Sequence, residues 1–293
     1  MPPVSIVIPA YNEEGAIGEV LHHLLEMLSA SDLTYEVLVV NDGSVDETAV
    51  IVAQIPGVTL LQHRVNKGYG AALKTGIRQA QYDLICITDA DGTYPNERIA
   101  DLVSRLDEGG FDMVVGARTG TNVAIPLVRK PAKWALGQVA NYVAGERIPD
   151  LNSGLRVFRR AVALRMFNML PDQFSFTTTI TLGMITNLYL VDFVPIDYYA
   201  RVGKSKIRPV RDTLNFLQLV LRIALYFAPL KFFAPLSLFL LLTAVAWAAF
   251  TLIVWDQIAD ISTLVIAMTA FQVLVIGLLA ELINRRVPNV YRE

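Results

Sequence analysis

Residues 84–93 read LICITDADGT, an apolar run that ends in two acids separated by a single alanine. Leu84 to Ile87 include β-branched side chains and carry no charge, the pattern of a fully buried strand. Asp89 and Asp91 follow at i and i+2, and on an extended backbone that spacing turns both carboxylates to the same side. Like charges held so close repel, so a positive partner is expected between them. Taken alone, Asp-Ala-Asp-Gly reads equally well as a plain turn, because Asp and Gly favour turns anyway. The rest of the chain decides between the two.

Working outward, SIVIP (5–9), YEVLVV (35–40), VTLL (58–61) and DMVVG (112–116) read as further strands. Helical periods lie between them. Ile17, Val20, Leu21, Leu24, Leu25 and Leu28 recur at helical spacing, an apolar helix follows DGSVDET as far as Ile55, and Gly70 to Ala80 look helical. Asn96 is expected to cap a helix running to Leu106. Strands alternating with helices predict an α/β fold with right-handed crossovers and a mostly parallel sheet covered on both faces. Ligands of such sheets bind outside the carboxyl ends of the strands. Three polar clusters fall there: Pro9-Ala10-Tyr11-Asn12-Glu13, Asn41-Asp42-Gly43-Ser44 and Asp89-Ala90-Asp91. Scattered turns would not converge on one edge, so the site reading outweighs the turn.

The chain has 293 residues and a net charge of −2, which argues against a nucleic-acid partner. It is 54% hydrophobic, and the excess is concentrated at the C-terminal end. Residues 232–255 and 261–280 contain no charge, and each is long enough to cross a bilayer, which takes about 20 apolar residues. Arg222 and Lys231 precede this pair, Arg285, Arg286 and Arg292 follow it, and the connection carries only Asp256 and Asp260. The positive-inside rule then predicts an integral membrane protein with both ends of the pair, and the large N-terminal region, in the cytoplasm. Glu281 sits four residues before Arg285, where the two can pair near the membrane edge. The first residues lack a basic and apolar leader, so export of the N-terminal region is not expected. The single cysteine, Cys86, excludes an internal disulfide and reads as inert packing.

A carboxylate pair at a strand end suits Mg²⁺ or Mn²⁺, hard cations held by one or two acids together with substrate phosphates. Such an ion bridges a diphosphate and neutralises the charge that develops as it leaves. Tyr11 is placed to pack beside a nucleotide, and Asp42 to accept hydrogen bonds from a base or ribose. The dinucleotide glycine fingerprint is absent after the first strand, which argues against a nicotinamide cofactor. Gly68-Tyr69-Gly70 is a weak glycine-loop signal, and Lys67 beside it is either structural or within reach of a phosphate. His22, His23 and His63 lack metal-ligand spacing and read as surface or helix-face residues.

SIVIPAYNEE, VVNDGSVDET, NKGYGAALKTGI, TDADGTYP and DLNSGLRVFRR occur in this order. With these five motifs the chain resembles the inverting family-2 glycosyltransferases, and more narrowly it is similar to their polyprenyl-phosphate branch, which includes dolichyl-phosphate mannose and glucose synthases. The resemblance covers residues 4–207. It implies a GT-A fold (the Rossmann-like nucleotide-diphospho-sugar transferase domain), a nucleotide-sugar donor and Mg²⁺ or Mn²⁺ held by Asp89 and Asp91. It further implies that Pro9, Tyr11, Glu13 and Asp42, with Lys67 and Asp89, form the nucleotide site. Arg118 would approach the donor diphosphate or the acceptor phosphate. Asp150 and Ser153 belong to the same family-like stretch, and a loop-stabilising Asp150 is as good a reading as a substrate contact. Thr93 and Asn96 stand where many relatives have Gln and Pro. Gly154 stands where some relatives carry Asp, so a dedicated base there is not expected. The Q-x-x-R-W motif of the membrane polymer synthases is missing, which implies one transfer per encounter.

RVGKSKIRPVR (201–211) carries five cations, Arg201, Lys204, Lys206, Arg208 and Arg211. It precedes the apolar stretch 214–230, in which Gln218 and Arg222 fall one turn apart, as in a helix lying in the membrane interface. The resemblance matches Arg201, Gly203, Ser205 and Lys206 to a phosphate-contacting loop, so Arg201, Lys204, Ser205 and Lys206 are the acceptor-phosphate candidates. Attraction to anionic lipid explains the charges almost as well. The expected organisation is a catalytic domain at 1–206, a juxtamembrane segment at 207–230, two transmembrane helices at 231–284 and a basic tail at 285–293. The expected function is transfer of one hexose, from a donor of the GDP-mannose or UDP-glucose type, to a polyprenyl phosphate. Transfer to a hydroxyl-bearing lipid such as diacylglycerol is the first alternative, and a non-catalytic nucleotide-sugar-binding membrane subunit the second. Membrane lipids are expected partners, and the paired spans also suit a homo-oligomer of unspecified number.

Overall fold

The computed structural model describes residues 1–121, 130–173, 175–199, 225–257 and 260–286. The chain divides into two units, Met1–Asp212 and Thr213–Glu293.

The first unit is built on a seven-stranded sheet. In chain order it runs β1 (Val4–Ala10), α1 (Ile17–Ser29), β2 (Tyr35–Asn41), α2 (Thr48–Ala53), β3 (Val58–Gln62), α3 (Tyr69–Gln79), β4 (Leu84–Ile87), α4 (Ile99–Glu108), β5 (Met113–Ala117), α5 (Lys130–Ala144), β6 (Arg156–Arg159), α6 (Arg160–Arg165), α7 (Phe176–Thr186) and β7 (Val191–Pro195). The strand order is β3-β2-β1-β4-β6-β5-β7. Strand β6 runs antiparallel to both β4 and β5, and every other pairing is parallel.

Alternation along the strands builds two cores. Ile6, Ile8, Val37, Val39, Cys86, Val114 and Val157 face α1 and α4, while Val7, Leu38, Val40, Ile85, Ile87, Val115 and Phe158 face α3, α6 and α7. Helix α3 lies very close to the sheet at Gly76, where a Cβ would stand 2.3 Å from Val7 Cγ1. Arg160 donates to the carbonyls of Ile77 and Arg78 and so satisfies the open C-terminal end of α3. Cys86 is fully buried, and burial pushes its thiol pKa up, as suits inert packing.

The five strands expected from the sequence are present, and the sheet extends beyond them. Strand β6 inserts between β4 and β5, and β7 adds an edge. Asn96 does not cap α4. It opens a single 3₁₀ turn, Asn96–Arg98, and its buried side-chain oxygen accepts from Thr88 Oγ1 at 2.8 Å.

The second unit is a helical hairpin of α8 (Pro229–Trp255) and α9 (Asp260–Arg286). Both helices are long and apolar enough to span a membrane, over Pro229–Trp255 and Ile261–Ile283. Its packing inverts that of a soluble protein. The buried positions include Ser237, Ala244, Thr251 and Ala270, whereas Leu238, Phe239, Leu242, Ile253, Leu264, Phe271 and Ile283 are exposed. Small residues between helices and large apolar ones outside are what close packing in lipid favours. Ser237 Oγ donates to the Ala270 carbonyl at 2.7 Å, and a Cβ on Gly277 would stand 2.6 Å from Phe233 Cβ.

Candidate active site

The loops after β1 and β2 are tied into one wall. Asn12 takes a left-handed backbone, φ 55°, which asparagine tolerates better than most residues. Its N–H donates to Ser44 Oγ at 3.0 Å, and its side-chain oxygen accepts from Val45 N at 2.9 Å. Glu13 N donates to Thr48 Oγ1, and the Glu13 carbonyl accepts from Ala16 and Ile17 at the start of α1. Pro9 is buried in β1, and Tyr11 beside it is 45% exposed, an aromatic face open to a ligand.

Asp42 looks inward. Its Oδ1 accepts from His63 Nδ1 at 2.6 Å and from Lys67 N at 2.9 Å, and its Oδ2 accepts from Gly68 N at 2.8 Å. His63 Nε2 in turn meets Thr75 Oγ1 at 2.9 Å. The carboxylate, 3% exposed, thus buttresses the turn into α3. His63 is buried, unlike the surface position expected for it, because Asp42 and Thr75 satisfy both ring nitrogens. Lys67 enters this network through its backbone, its carbonyl accepting from Gln173 Nε2 at 3.3 Å.

The acid pair follows β4. Asp91 Oδ1 accepts from Thr93 N at 3.2 Å and from Thr93 Oγ1 at 2.7 Å. Asp89 Oδ1 accepts from the Tyr69 hydroxyl at 3.2 Å. Burial, and next the Asp89 charge, hold the Tyr69 phenol well above its ordinary pKa, so it stays a donor. Tyr94 OH accepts from Gly154 N at 2.6 Å. Among the described residues no group of three or more His, Cys, Asp and Glu comes together. A pair of hard carboxylates fits Mg²⁺ or Mn²⁺ that draws its other ligands from phosphate oxygens and water.

Next to the pair, Arg118 and Asp150 form one unit. Arg118 Nε and Nη2 reach Asp150 Oδ2 and Oδ1 at 2.7 and 2.9 Å, and Arg118 N donates to Oδ2 at 3.0 Å. Burial works against the Arg118 charge, but the hydrogen bonds and charge of Asp150 more than offset it and hold the pKa above the usual arginine value. The guanidinium also lies 5.1 Å over the Tyr198 ring, which meets Tyr94 edge-on at 5.2 Å. Ser153 Oγ donates to the Gly116 carbonyl, a bond that fixes the loop leading into β6.

Arg156, the first residue of β6, is fully buried. Nε and Nη2 donate to the Ser153 carbonyl, and Nη1 donates to the Thr177 carbonyl at 3.0 Å and Thr181 Oγ1 at 2.7 Å. Burial pushes its pKa down to about 10. Arg156, Tyr69, Tyr94 and His63 carry no role expected from the sequence. The one visible signal was an arginine between Leu155 and Val157 in an otherwise apolar run. Asp89, Asp91, Arg118, Asp150 and Ser153 gather with Tyr69, Tyr94 and Arg156 at the edge formed by the ends of β4 and β5 and the start of β6, whereas His63 stays with Asp42 and Thr75 after β3. Arg201, Lys204, Ser205 and Lys206 lie outside the described residues.

Residues 5–167 match the family described as Glycosyl transferase family 2, and residues 228–285 match the GtrB C-terminal hairpin. The dodecaprenyl-phosphate galacturonate synthase of Rhizobium johnstonii is 25% identical over 99% of this chain and 89% of its own. An undecaprenyl-phosphate 4-deoxy-4-formamido-L-arabinose transferase of Klebsiella pneumoniae is 32% identical over 56% of this chain, and the match spans 51% of that relative's length. Among solved structures, glucosyl-3-phosphoglycerate synthase from Mycobacterium tuberculosis, in complex with Mn²⁺, UDP and phosphoglyceric acid, aligns with a TM-score of 0.59. It is 18% identical and covers 76% of this chain and 78% of that one, a likeness of fold. The sheet is thus of the GT-A type, and the chain belongs to glycosyl transferase family 2, with a GtrB-type hairpin at its C-terminal end.

Proposed function

We propose that this protein transfers a single hexose, from a donor of the GDP-mannose or UDP-glucose type, to a polyprenyl phosphate at the cytoplasmic face of the membrane, inverting the anomeric carbon. The observation that carries the reading is the Asp89/Asp91 pair at the end of β4, in a family-2 domain followed by a GtrB-type hairpin. Relatives named for undecaprenyl or dodecaprenyl phosphate support the acceptor class. The arginines and lysine that flank the hairpin support the orientation.

Asp89 and Asp91 would hold Mg²⁺ or Mn²⁺, which when bound neutralises charge on the departing diphosphate. Pro9, Tyr11 and Glu13 form the nucleotide wall, and Asp42 fixes its floor through Lys67 and Gly68. Arg118, aimed by Asp150, faces the phosphates. Arg201, Lys204, Ser205 and Lys206 hold the acceptor phosphate. A phosphate monoester has a second pKa of about 6, so near neutral pH its attacking oxygen is already charged. That oxygen forms the new bond to the anomeric carbon as the bond to the nucleoside diphosphate breaks, and no proton has to be removed. Asp150 is therefore an orienting group for Arg118 rather than a base.

The test is a donor panel with purified full-length protein, a short polyprenyl phosphate and Mn²⁺, the lipid product being read by mass. Nucleotide-linked glucose and mannose belong in it, as do a uronic acid and a 4-amino pentose, given the relatives' names. The reading expects one added hexose from one of the first two donors. Absence of any lipid product with every donor would refute it.

A further inference from the structure

Asp89 sits between two features that its own motif does not contain. On one side, the Tyr69 hydroxyl donates to Asp89 Oδ1 at 3.2 Å. Tyr69 is the first residue of α3, and the backbone around it is held firmly. Asp42 accepts from the N–H groups of Lys67 and Gly68, Ala71 N donates to the Asp172 carbonyl at 2.9 Å, and a Cβ on Gly70 would stand 2.1 Å from the Pro171 carbonyl oxygen. The phenol therefore reaches the acid from a rigid base.

On the other side lies Gly154, where a Cβ would stand 2.9 Å from Asp89 Oδ2. That backbone is fixed too: Gly154 N donates to Tyr94 OH, and Arg156 holds the Ser153 carbonyl with two N–H groups. The glycine leaves the space that the carboxylate occupies.

We propose that Tyr69 is a positioning residue whose hydroxyl, acting against the bare backbone of Gly154, sets the Asp89 carboxylate in its ion-binding orientation. The inference rests on the reading of Asp89 and Asp91 as the pair that holds the ion. Groups behind a metal ligand fix its orientation, and their loss typically weakens binding by about 10–100-fold.

The experiment measures Mn²⁺ binding to the full-length protein in detergent, without donor or acceptor, from the paramagnetic resonance signal of the free ion. The proteins are the parent, Tyr69→Phe, Gly154→Ala and Asp91→Asn. Tyr69→Phe keeps the ring and removes one hydroxyl, and it should weaken Mn²⁺ by about tenfold, the low end for such a partner. Gly154→Ala displaces the acid from the other side and should weaken it at least as much. A role confined to the start of α3 would lower the melting midpoint and leave Mn²⁺ affinity unchanged. Parental affinity in Tyr69→Phe, with affinity lost in Asp91→Asn, would overturn this inference alone. Parental affinity in Asp91→Asn would overturn the ion site itself and the inference with it. If all three variants lose affinity but the parent transfers no sugar, the proposed function fails and the positioning role stands.

Discussion

Asp150 is fully buried, and Arg118, with 13% of its side chain exposed, is its ion-pair partner. Two side-chain bonds and one backbone bond from Arg118 engage both oxygens of the carboxylate. Asp150→Asn should therefore lower both transfer and the melting midpoint, since removing one partner of a buried pair costs about 3–5 kcal/mol. Raising the pH should rescue neither. A loss of rate that higher pH restores, in a variant that folds and binds donor, would instead identify Asp150 as a proton acceptor. Asp89 and Asp91 are legible in the sequence as two acids one residue apart after an apolar strand, although the chain turns at Ala90 and Asp91 instead of staying extended. Tyr69, Tyr94 and His63 are not, because each bonds a partner that only the fold brings near, and Arg156 is not, because the fold brings Thr177 and Thr181 to it in addition to the nearby Ser153 carbonyl. The Tyr69 bond spans twenty residues and that of Tyr94 spans sixty. His63 lacked metal-ligand spacing, and its actual partner is an acid twenty-one residues earlier.

At the scale of elements, β1 to β5 declared themselves through short, mostly apolar runs, and polar clusters follow three of them, β1, β2 and β4. Strand β6 did not, since RVFR places arginines at both ends of a four-residue strand. Arg156 is tolerated there because carbonyls and a hydroxyl satisfy its guanidinium, a condition invisible in local sequence. Strand β7 is a half-exposed edge pairing only with β5 among the described strands, and its apolar pattern is correspondingly weak. The insertion of β6 matters for chemistry, since it carries Ser153 and Gly154 to the acid pair. Helix α3 offers a direct test of packing at Gly76. Alanine would add helix propensity worth up to about 1 kcal/mol. Against that, its Cβ would lie 2.3 Å from a methyl of Val7, a stiff residue in the middle of the sheet. Overpacking of this kind costs about 1–3 kcal/mol and should win. Gly76→Ala is expected to lower the thermal midpoint, and an unchanged or raised midpoint would show that the α3–β1 contact gives way easily.

At the scale of the whole molecule, a family-2 domain and a GtrB-type hairpin occupy one chain, and the basic run 201–211, which lies between the two matches in sequence, is the proposed acceptor site. Replacing Lys204 and Lys206 together by Gln should raise the KM for a soluble short-chain acceptor in detergent while leaving the KM for donor near that of the parent. Equal acceptor kinetics in detergent would assign those lysines to membrane attraction alone. The central claim is that the lipid phosphate itself attacks the sugar. The measurement that tests it most directly is the phosphorus NMR spectrum of the lipid product, recovered after one donor equivalent has been consumed. Attack by phosphate predicts that the monoester signal of the acceptor is replaced by a single phosphodiester signal, whose coupling reports one inverted anomeric carbon. A product that retains its phosphate monoester and carries the sugar elsewhere would contradict the account.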